Sequence, residues 1–242
     1  FFEVLLIASY GLALHGRGPE RVKAGLHYVV LNLAGSALFL FALGIMYGTF
    51  GTLNMADMQQ KAALINPNDV RLANAGAMLL LVVFGLKSAM LPLHFWMPRA
   101  YSAAPAPVAA LFAIMTKVGI YSLWRVHCGI FGDNAGDLAN IAQPWLWPLA
   151  WLTVVIGIIA TLASKTLREL TANLVIISVG SLLLMVALNT REATASGLYY
   201  LVHSTLATAL MFLVAGLIIG QRGKAEDRFV QARPGVQPAL LG

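Results

Sequence analysis

Of the 242 residues in this chain, 59% are hydrophobic and only 11% are charged, whereas a soluble domain has about 25% charged residues. This composition excludes a soluble globular domain and indicates a polytopic membrane protein. The net charge of +6 could suggest nucleic-acid binding, but the basic residues flank apolar segments and fit membrane topology better. The single cysteine, Cys128, excludes a disulfide framework within the chain, and no metal-ligand spacing is present.

Apolar segments follow one another along the whole chain. Because lipid offers no partner to backbone N–H and C=O groups, each segment is expected to form a helix. The fold prediction is therefore all-α, a polytopic transmembrane helix bundle. The segments, in chain order, are Phe1–Leu14, Tyr28–Phe50, Leu72–Met97, Pro107–Cys128, Trp145–Ala163, Leu170–Leu188 and Gly197–Gly220.

The first segment is shorter than the roughly 20 residues that a membrane-spanning helix needs. It lacks the basic start and the small-residue cleavage site of a signal peptide, so we interpret it as the second half of a spanning helix. The chain begins at Phe1 rather than Met and ends in the polar stretch 231–242, QARPGVQPALLG. We therefore expect a fragment that is truncated at both ends.

Basic residues divide the loops into two alternating sets. The richer set is predicted to be cytoplasmic by the positive-inside rule, which makes the first helix run from outside to inside. The richer set holds Arg17, Arg21, Lys23, Arg99, Lys165, Arg168, Arg222, Lys224, Arg228 and Arg233, and the poorer set holds Lys61, Arg71, Arg125 and Arg191.

One carboxylate, Glu3, lies inside an apolar segment. Arg17 marks the cytoplasmic end of that segment, which places Glu3 about 16–20 Å away from it and near the middle of the membrane. An intramembrane carboxylate needs a partner, and the candidates are Lys87 and Lys117. The alternative is a carboxylate close to an interface.

Each of two apolar segments carries one lysine, at a cost of roughly 2.5–3.5 kcal/mol on insertion scales. Lys87 precedes Pro92 by five residues, and the proline leaves the carbonyl of Ser88 without its helical partner. Broken helices of this kind occur at ion sites in transporters. The alternative for Lys87 is a side chain that extends to the interface.

Lys117 lies ten residues after Pro107, which suits the first position of a helix. The spacing corresponds to about 15 Å and the middle of the membrane, where extension to the interface is least plausible. Burial favours a neutral amine, which allows a lysine to take up and release a proton near neutral pH. The two lysines beside a broken helix indicate a path for protons or cations.

His94 and His203 are weaker candidates for a proton relay, because imidazole titrates near pH 6.5. For both, a histidine that is simply hydrogen-bonded within the bundle is an equal alternative. The remaining polar and small residues have structural interpretations. His27, Tyr121, Arg125 and the tryptophans Trp145, Trp147 and Trp151 are expected at the membrane interfaces, and Gly35, Ser36, Gly180 and Gly216 are expected to permit close helix packing.

The stretch FGLKSAMLPLHFWMPRAYSAAPAPVAALFAIMTKVGIYSLWRV resembles the core of the proton-conducting antiporter-like family. This family includes membrane proteins of Mrp-type (Pha/Mnh) monovalent cation/proton antiporters and the antiporter-like membrane subunits of respiratory complex I. The form PLHFWMPRAYSAAPAPVAALFAIMTKVGIY is most similar to the D-type member of the Mrp antiporters. FFEVLLIASYGL resembles the glutamate-bearing fifth helix of the family, and YYLVHSTLATALMFLVAGLI resembles its eleventh.

The resemblance implies an antiporter-like fold of about fourteen helices with two inverted repeats and broken helices. Residues 1–242 would then be a fragment of a proton-conducting membrane transporter domain, covering the fifth to eleventh helices. It also implies that Glu3 and Lys87 form a charge pair and that Lys117 is the central relay lysine. The chain departs from many relatives at Ala207 and Thr208, where a lysine is common, so either the exit half of the family's proton path is missing here or it is expected to run through His203 and waters.

Two classes of function follow from the resemblance. The first is a proton-translocating subunit of a multisubunit Na⁺(K⁺)/H⁺ antiporter in the bacterial inner membrane, a secondary transporter rather than an enzyme. The second is a proton-pumping subunit of an NADH-quinone oxidoreductase or membrane-bound hydrogenase. Arg99, where many complex I relatives have an acid, favours the first. A scaffold subunit is a third possibility, against which the buried charges argue. No flavin, quinone or iron–sulfur motif is present, and no cofactor is expected.

Overall fold

Helices make up most of the chain in the computed structural model, which describes residues 2–14 and 19–222. The α-helices of this described part are α1 (Phe2–Leu14), α2 (Pro19–Phe50), α3 (Met55–Ala62), α4 (Val70–Ser88), α5 (Trp96–Ala103), α6 (Ala106–Leu123), α7 (Gln143–Leu162), α8 (Leu167–Leu188) and α9 (Arg191–Arg222). The all-α prediction is confirmed. Phe1, the basic residues Arg17, Lys224, Arg228 and Arg233, and the stretch 231–242 lie outside the described residues.

Six of the helices are long and apolar enough to cross a membrane, judged by length and composition. They correspond to the last six predicted segments, and the first segment forms the shorter apolar helix α1. Large apolar side chains cover their outer surfaces; Phe41 is 69% exposed and Leu162 is 83% exposed. Such surfaces fit lipid, and they identify a multi-pass membrane protein.

The third predicted segment, Leu72–Met97, is not one continuous helix. The α4 helix ends at Ser88 and α5 begins at Trp96, so the chain breaks around Pro92 as the proline predicted. The next helix begins at Ala106, with Pro105 as its N-cap. Pro107 is therefore its second residue, not its first as the sequence suggested, and a second proline immediately before the helix explains the difference.

Two further features were not predicted. A π-helical stretch, Trp124–Ile130, continues α6. The loop after α2 folds into the short surface helix α3, whose N-cap Asn54 accepts hydrogen bonds from two backbone N–H groups. On α3, Lys61 Nζ lies 3.0 Å from Asp57 Oδ2, and the hydrogen bond from Lys61 lowers the pKa of Asp57.

Glycines allow the helices to approach closely. A Cβ atom at Gly180 of α8 would lie 2.8 Å from the backbone nitrogen of Val154 on α7, and one at Gly157 of α7 would lie 3.0 Å from that of Ile177 on α8. These two helices share the largest interface of the described chain. A Cβ at Gly35 would meet Leu86, and one at Gly216 would meet Ala106. The packing role predicted for the three glycines Gly35, Gly180 and Gly216 is confirmed.

Candidate functional site

The two oppositely charged residues Glu3 and Lys87 form a direct ion pair. Glu3 lies in the first turn of α1, and Lys87 lies in the last turn of α4. Lys87 Nζ is 2.7 Å from Glu3 Oε1, and the exposed fractions of the Lys87 and Glu3 side chains are 1% and 31%. Of the two lysine partners that the sequence offered to Glu3, the structure selects Lys87. The lysine does not extend to an interface.

Ser36 of α2 bridges this ion pair. Lys87 Nζ donates a hydrogen bond to Ser36 Oγ at 3.0 Å, and Ser36 Oγ donates to Glu3 Oε2. The same hydroxyl lies 2.9 Å from the backbone carbonyl of Asn32. A hydroxyl has only one proton to donate, so Ser36 can serve Glu3 or Asn32 but not both fully. From the sequence, we predicted only a packing role for Ser36. Its hydroxyl also connects the three helices α1, α2 and α4.

The break after Lys87 is stabilised by hydrogen bonds to its irregular backbone. Ala89 adopts a left-handed conformation with φ 61°, and Met90 N donates to Gly85 O at 2.8 Å. Leu91 N donates to Thr153 Oγ1 of α7 at 3.1 Å, and Trp96 Nε1 donates to Leu86 O at 3.1 Å. Irregular backbone at membrane depth requires such partners within the protein. The break is therefore an ordered part of the fold, next to the charge pair.

Lys117 has a different environment, without a carboxylate. Its side chain is buried with 1% exposure in the middle of α6, and Nζ donates to Ser178 Oγ of α8 at 2.6 Å. Within residues 2–14 and 19–222, no carboxylate lies within ion-pair distance of Lys117. The ammonium group has three donors, so a single hydroxyl leaves room for further polar partners such as water.

The lysine-bearing helices α4 and α6 touch. A Cβ atom at Gly119 would lie 2.9 Å from the backbone nitrogen of Ser88 and 3.2 Å from the carbonyl carbon of Lys87. Gly119 follows Lys117 by two residues, so the end of α4 packs directly against the middle of α6. The two buried lysines therefore belong to one packed region of the fold.

The two candidate histidines lie apart from this region or at its edge. His94 lies in the break between α4 and α5, and its Nδ1 is buried without a hydrogen-bond partner among the described residues. His203 lies on an exposed face of α9, where its ring stacks on Tyr199 at a centroid distance of 6.4 Å. No hydrogen bond within the described chain connects either histidine to Lys117. Their relay roles stay predictions.

A cavity of about 460 Å³ borders the charge pair. Glu3 and Lys87 line it, together with Tyr121 and Arg125 from the end of α6 and the stretch that follows it. Arg125 and Tyr121 are exposed, as expected near an interface. The charge pair is thus the part of the site that borders a space large enough for water.

The family model described as NADH:quinone oxidoreductase/Mrp antiporter, TM matches residues 1–233. This chain belongs to that family. It is 47% identical to the D-type subunit of a probable K(+)/H(+) antiporter of Rhizobium meliloti (strain 1021) and 40% identical to the D-type subunit of the Na(+)/H(+) antiporter of Bacillus subtilis (strain 168). Each match covers 93% of this chain but only 41% and 45% of the relative, so the chain spans less than half the length of these relatives.

Solved structures share the fold of this family member. The Mrp complex from Dietzia sp. DQ12-45-1b contains a chain that superposes with a TM-score of 0.79 at 28% identity, over 92% of this chain and 41% of that one. A chain of the membrane-bound sulfane sulfur reductase, an archaeal respiratory membrane complex, gives 0.82 at 28% identity, over 91% and 44%. The predicted antiporter-like fold and the resemblance to the D-type member of Mrp antiporters are therefore confirmed.

Three hydroxyl groups that complete the site were not predicted from the sequence. The hydroxyl of Ser36 forms hydrogen bonds with the charge pair, and that of Thr153 accepts one from the helix break. The hydroxyl of Ser178 accepts one from Lys117. One signal for them was present: only one carboxylate lies in the apolar segments, so the second buried lysine had to find a neutral acceptor. The choice among the many Ser and Thr residues depends on which helices are neighbours, and spacing along the chain does not contain that information.

Proposed function

We propose that this chain is a proton-translocating membrane subunit of a multisubunit monovalent cation/proton antiporter. The observation that carries the proposal is the cluster of Glu3, Ser36 and the buried Lys87 at a helix break. Replacing a buried ion pair by apolar side chains is often neutral or stabilising, so stability gives little reason to keep one. The names of the two relatives, which are D-type antiporter subunits, support the same conclusion.

The charge pair acts as a switch in this mechanism. Contact with the Glu3 carboxylate favours the charged form of Lys87, and loss of the contact favours the neutral amine in its buried position. Protonation of Glu3 removes its negative charge and releases Lys87. Ser36 can follow this change, because its hydroxyl proton can turn from Glu3 to the carbonyl of Asn32. The proton that Lys87 loses is then available to move toward Lys117.

Lys117 is the next proton-carrying residue on this route. It has a hydroxyl partner but no carboxylate in the described chain, so no fixed negative charge holds it in the protonated form. Its helix packs against the end of α4 at Gly119, and in this mechanism water molecules carry the proton between the two lysines. Exchange for Na⁺ or K⁺ requires that this proton movement be coupled to cation movement in the assembled protein.

We expect the chain to work in the bacterial inner membrane, surrounded by lipid and by other antiporter subunits in a hetero-oligomeric complex. We assign it no cofactor and treat it as a secondary transporter, not an enzyme. The two relatives differ in the cation that their names give, K⁺ in one and Na⁺ in the other. Both cations are therefore substrates to be tested.

A second candidate function is proton pumping in a redox-driven membrane complex. It is supported by the structural likeness to the sulfane sulfur reductase and by the description of the family, which includes NADH:quinone oxidoreductase. The same charge pair and lysine would then move protons in response to electron transfer, not to a cation gradient. The two functions differ in their driving force.

Purified complex containing this chain can be reconstituted in liposomes with a trapped pH dye and no electron donor. We expect an imposed Na⁺ or K⁺ gradient to drive proton movement, while a choline gradient does not. A complex that moves protons only when an electron donor and acceptor are supplied would instead support the redox-linked function. A complex that moves protons under neither condition would support the scaffold alternative.

A further inference from the structure

We propose that His127 is a proton-transfer residue beyond Lys117, at a buried site that binds water. Nothing in the sequence singles it out, and the inference rests on the proposed function because it needs protons to pass Lys117. His127 lies in the π-helical stretch Trp124–Ile130 that continues α6. Single π-helical turns interrupt helices at a cost and are frequent at functional sites.

The imidazole of His127 is buried with unpaired polar atoms. The residue is 3% exposed, and neither Nδ1 nor Nε2 has a hydrogen-bond partner among the described residues. A neutral imidazole carries one donor and one acceptor, and buried polar groups are nearly always paired with protein or ordered water. The ring therefore needs a small polar ligand that can both donate and accept.

A second unpaired donor lies in the same π-helical stretch. Trp124 Nε1 is buried and has no hydrogen-bond partner within the described chain. A buried water molecule makes about three hydrogen bonds to groups of this kind. Water is the ligand whose chemistry fits each group, because it can accept from the indole N–H and can both donate to and accept from the ring nitrogens of His127.

His127 is placed to continue the route from Lys117 outward. It follows Lys117 by ten residues on one continuous helix, which corresponds to about 15 Å along the axis, toward the end predicted to face outside. Its ring centroid is 6.2 Å from that of Phe131. Asn140 donates its backbone N–H to Phe131 O at 2.8 Å and its side-chain amide to Asp133 Oδ1 at 2.7 Å, and Asp133 is exposed.

The transfer step is balanced without any further reactant. Protonated Lys117 loses one proton to water, a proton passes along a row of water molecules to one ring nitrogen of His127, and the other ring nitrogen releases its proton toward the surface. Neutral imidazole is then restored as the opposite tautomer, and ring reorientation or a return proton resets it. Two distinct ring nitrogens allow uptake and release on different sides.

The test compares His127→Phe with His127→Gln in the assembled complex. The ring nitrogens of His127 have no hydrogen-bond partner in the described chain, so His127→Phe breaks no protein hydrogen bond there and should assemble. We expect cation-driven proton transport to fall roughly a hundredfold or more, the lower end of what positioned proton transfer contributes. His127→Gln can form hydrogen bonds but cannot carry a proton, and it should lose transport as well. The exposed His27→Gln is the matched control and should retain it.

Transport by His127→Phe at the wild-type rate would overturn the inference, and if that variant does not assemble, wild-type transport by His127→Gln would do so. Deuterium uptake at the imidazole C2 carbon, read by mass spectrometry on the wild-type complex, needs no variant. We expect uptake at His127 in the presence of D₂O, and none would refute a water-bound site. If the wild-type complex shows no cation-driven transport, the proposed function is wrong. If the wild-type complex transports and His127→Phe transports equally fast, only this inference is wrong.

Discussion

Gly119 and Ser88 bring the backbones of the two lysine-bearing helices together. A Cβ atom at Gly119 would lie 2.9 Å from Ser88 N, which is closer than real Cβ atoms approach a backbone nitrogen. Gly119 follows Lys117 by two residues, and Ser88 follows Lys87 by one. This contact therefore fixes how closely the backbones of the two lysine-bearing helices approach.

Gly119→Ala should separate α4 from α6. The added methyl group meets backbone and cannot be relieved by a side-chain rotation, so we expect a destabilisation of about 1–3 kcal/mol, typical of overpacking, together with reduced transport. Gly44→Ala is the matched control, because nothing lies within 4 Å of a Cβ there. Thermal unfolding in detergent and transport in liposomes measure both effects. Equal unfolding temperatures and equal transport rates of the two variants would show that Gly119 and Ser88 are not in tight contact.

Ser178→Ala removes the hydroxyl that accepts the hydrogen bond from Lys117. Loss of this acceptor for a buried ammonium should lower the free energy of unfolding by about 1–3 kcal/mol, and transport should slow because the lysine loses its fixed position. Ser181→Ala is a suitable control, since Ser181 Oγ donates only to Ile177 O of its own helix, at 3.0 Å. Transport rates of the two variants are compared at equal complex abundance, and unchanged transport in Ser178→Ala would exclude a role for the bond.

Thr153→Val should loosen the helix break while keeping the side-chain volume. Thr153 is fully buried, and its hydroxyl accepts from Leu91 N and donates to Leu149 O. A valine leaves the Leu91 N–H unpaired, at a cost of about 1–3 kcal/mol. Thr153→Ser keeps the hydroxyl and should restore both stability and transport. If serine fares no better than valine, packing of the methyl group matters more than the hydrogen bond.

Most of the fold followed from the sequence because it depends on local properties. Apolar length located the spanning helices, and Pro92 located the break. The α3 helix and the π-helical stretch Trp124–Ile130 were not found. The first is short and polar, and it depends on its cap at Asn54. The second depends on the neighbours that surround the end of α6, and no local residue pattern marks it.

The sequence identified the charged residues of the site but not their uncharged partners. Glu3, Lys87 and Lys117 were identifiable because a charge in an apolar segment is costly, and the structure joins the first two as the resemblance implied. The choice between Lys87 and Lys117 as the partner of Glu3 could not be made from charge alone, because either lysine would satisfy it. Ser36 and Ser178 escaped notice because serine is common in apolar helices and its role depends on the facing helix.

The orientation of the chain in the membrane is a further prediction. Single cysteines at the exposed positions Gln60 and Lys165, introduced with Cys128→Ser, should differ in their reaction with an impermeant thiol reagent. The positive-inside rule predicts labelling of Gln60→Cys from outside in whole cells and labelling of Lys165→Cys only after the cells are opened. The opposite labelling pattern would reverse the predicted orientation of the chain in the membrane.

The Glu3–Lys87 pair is the centre of the proposed mechanism. Removing one partner takes the ion pair from the other, which costs up to about 3–5 kcal/mol for a buried charge, so Glu3→Ala and Lys87→Ala should each lower complex abundance and abolish transport. The double variant leaves no unpaired charge, and we expect it to regain abundance. It should still not transport, because the group that holds the proton is gone.

The decisive measurement is therefore cation-driven proton movement in liposomes that contain the Glu3→Ala/Lys87→Ala complex, at a protein content matched to wild type by native gel. We expect an assembled complex that does not respond to Na⁺ or K⁺. Proton movement at the wild-type rate in the double variant would mean that the pair is structural and that protons take another route.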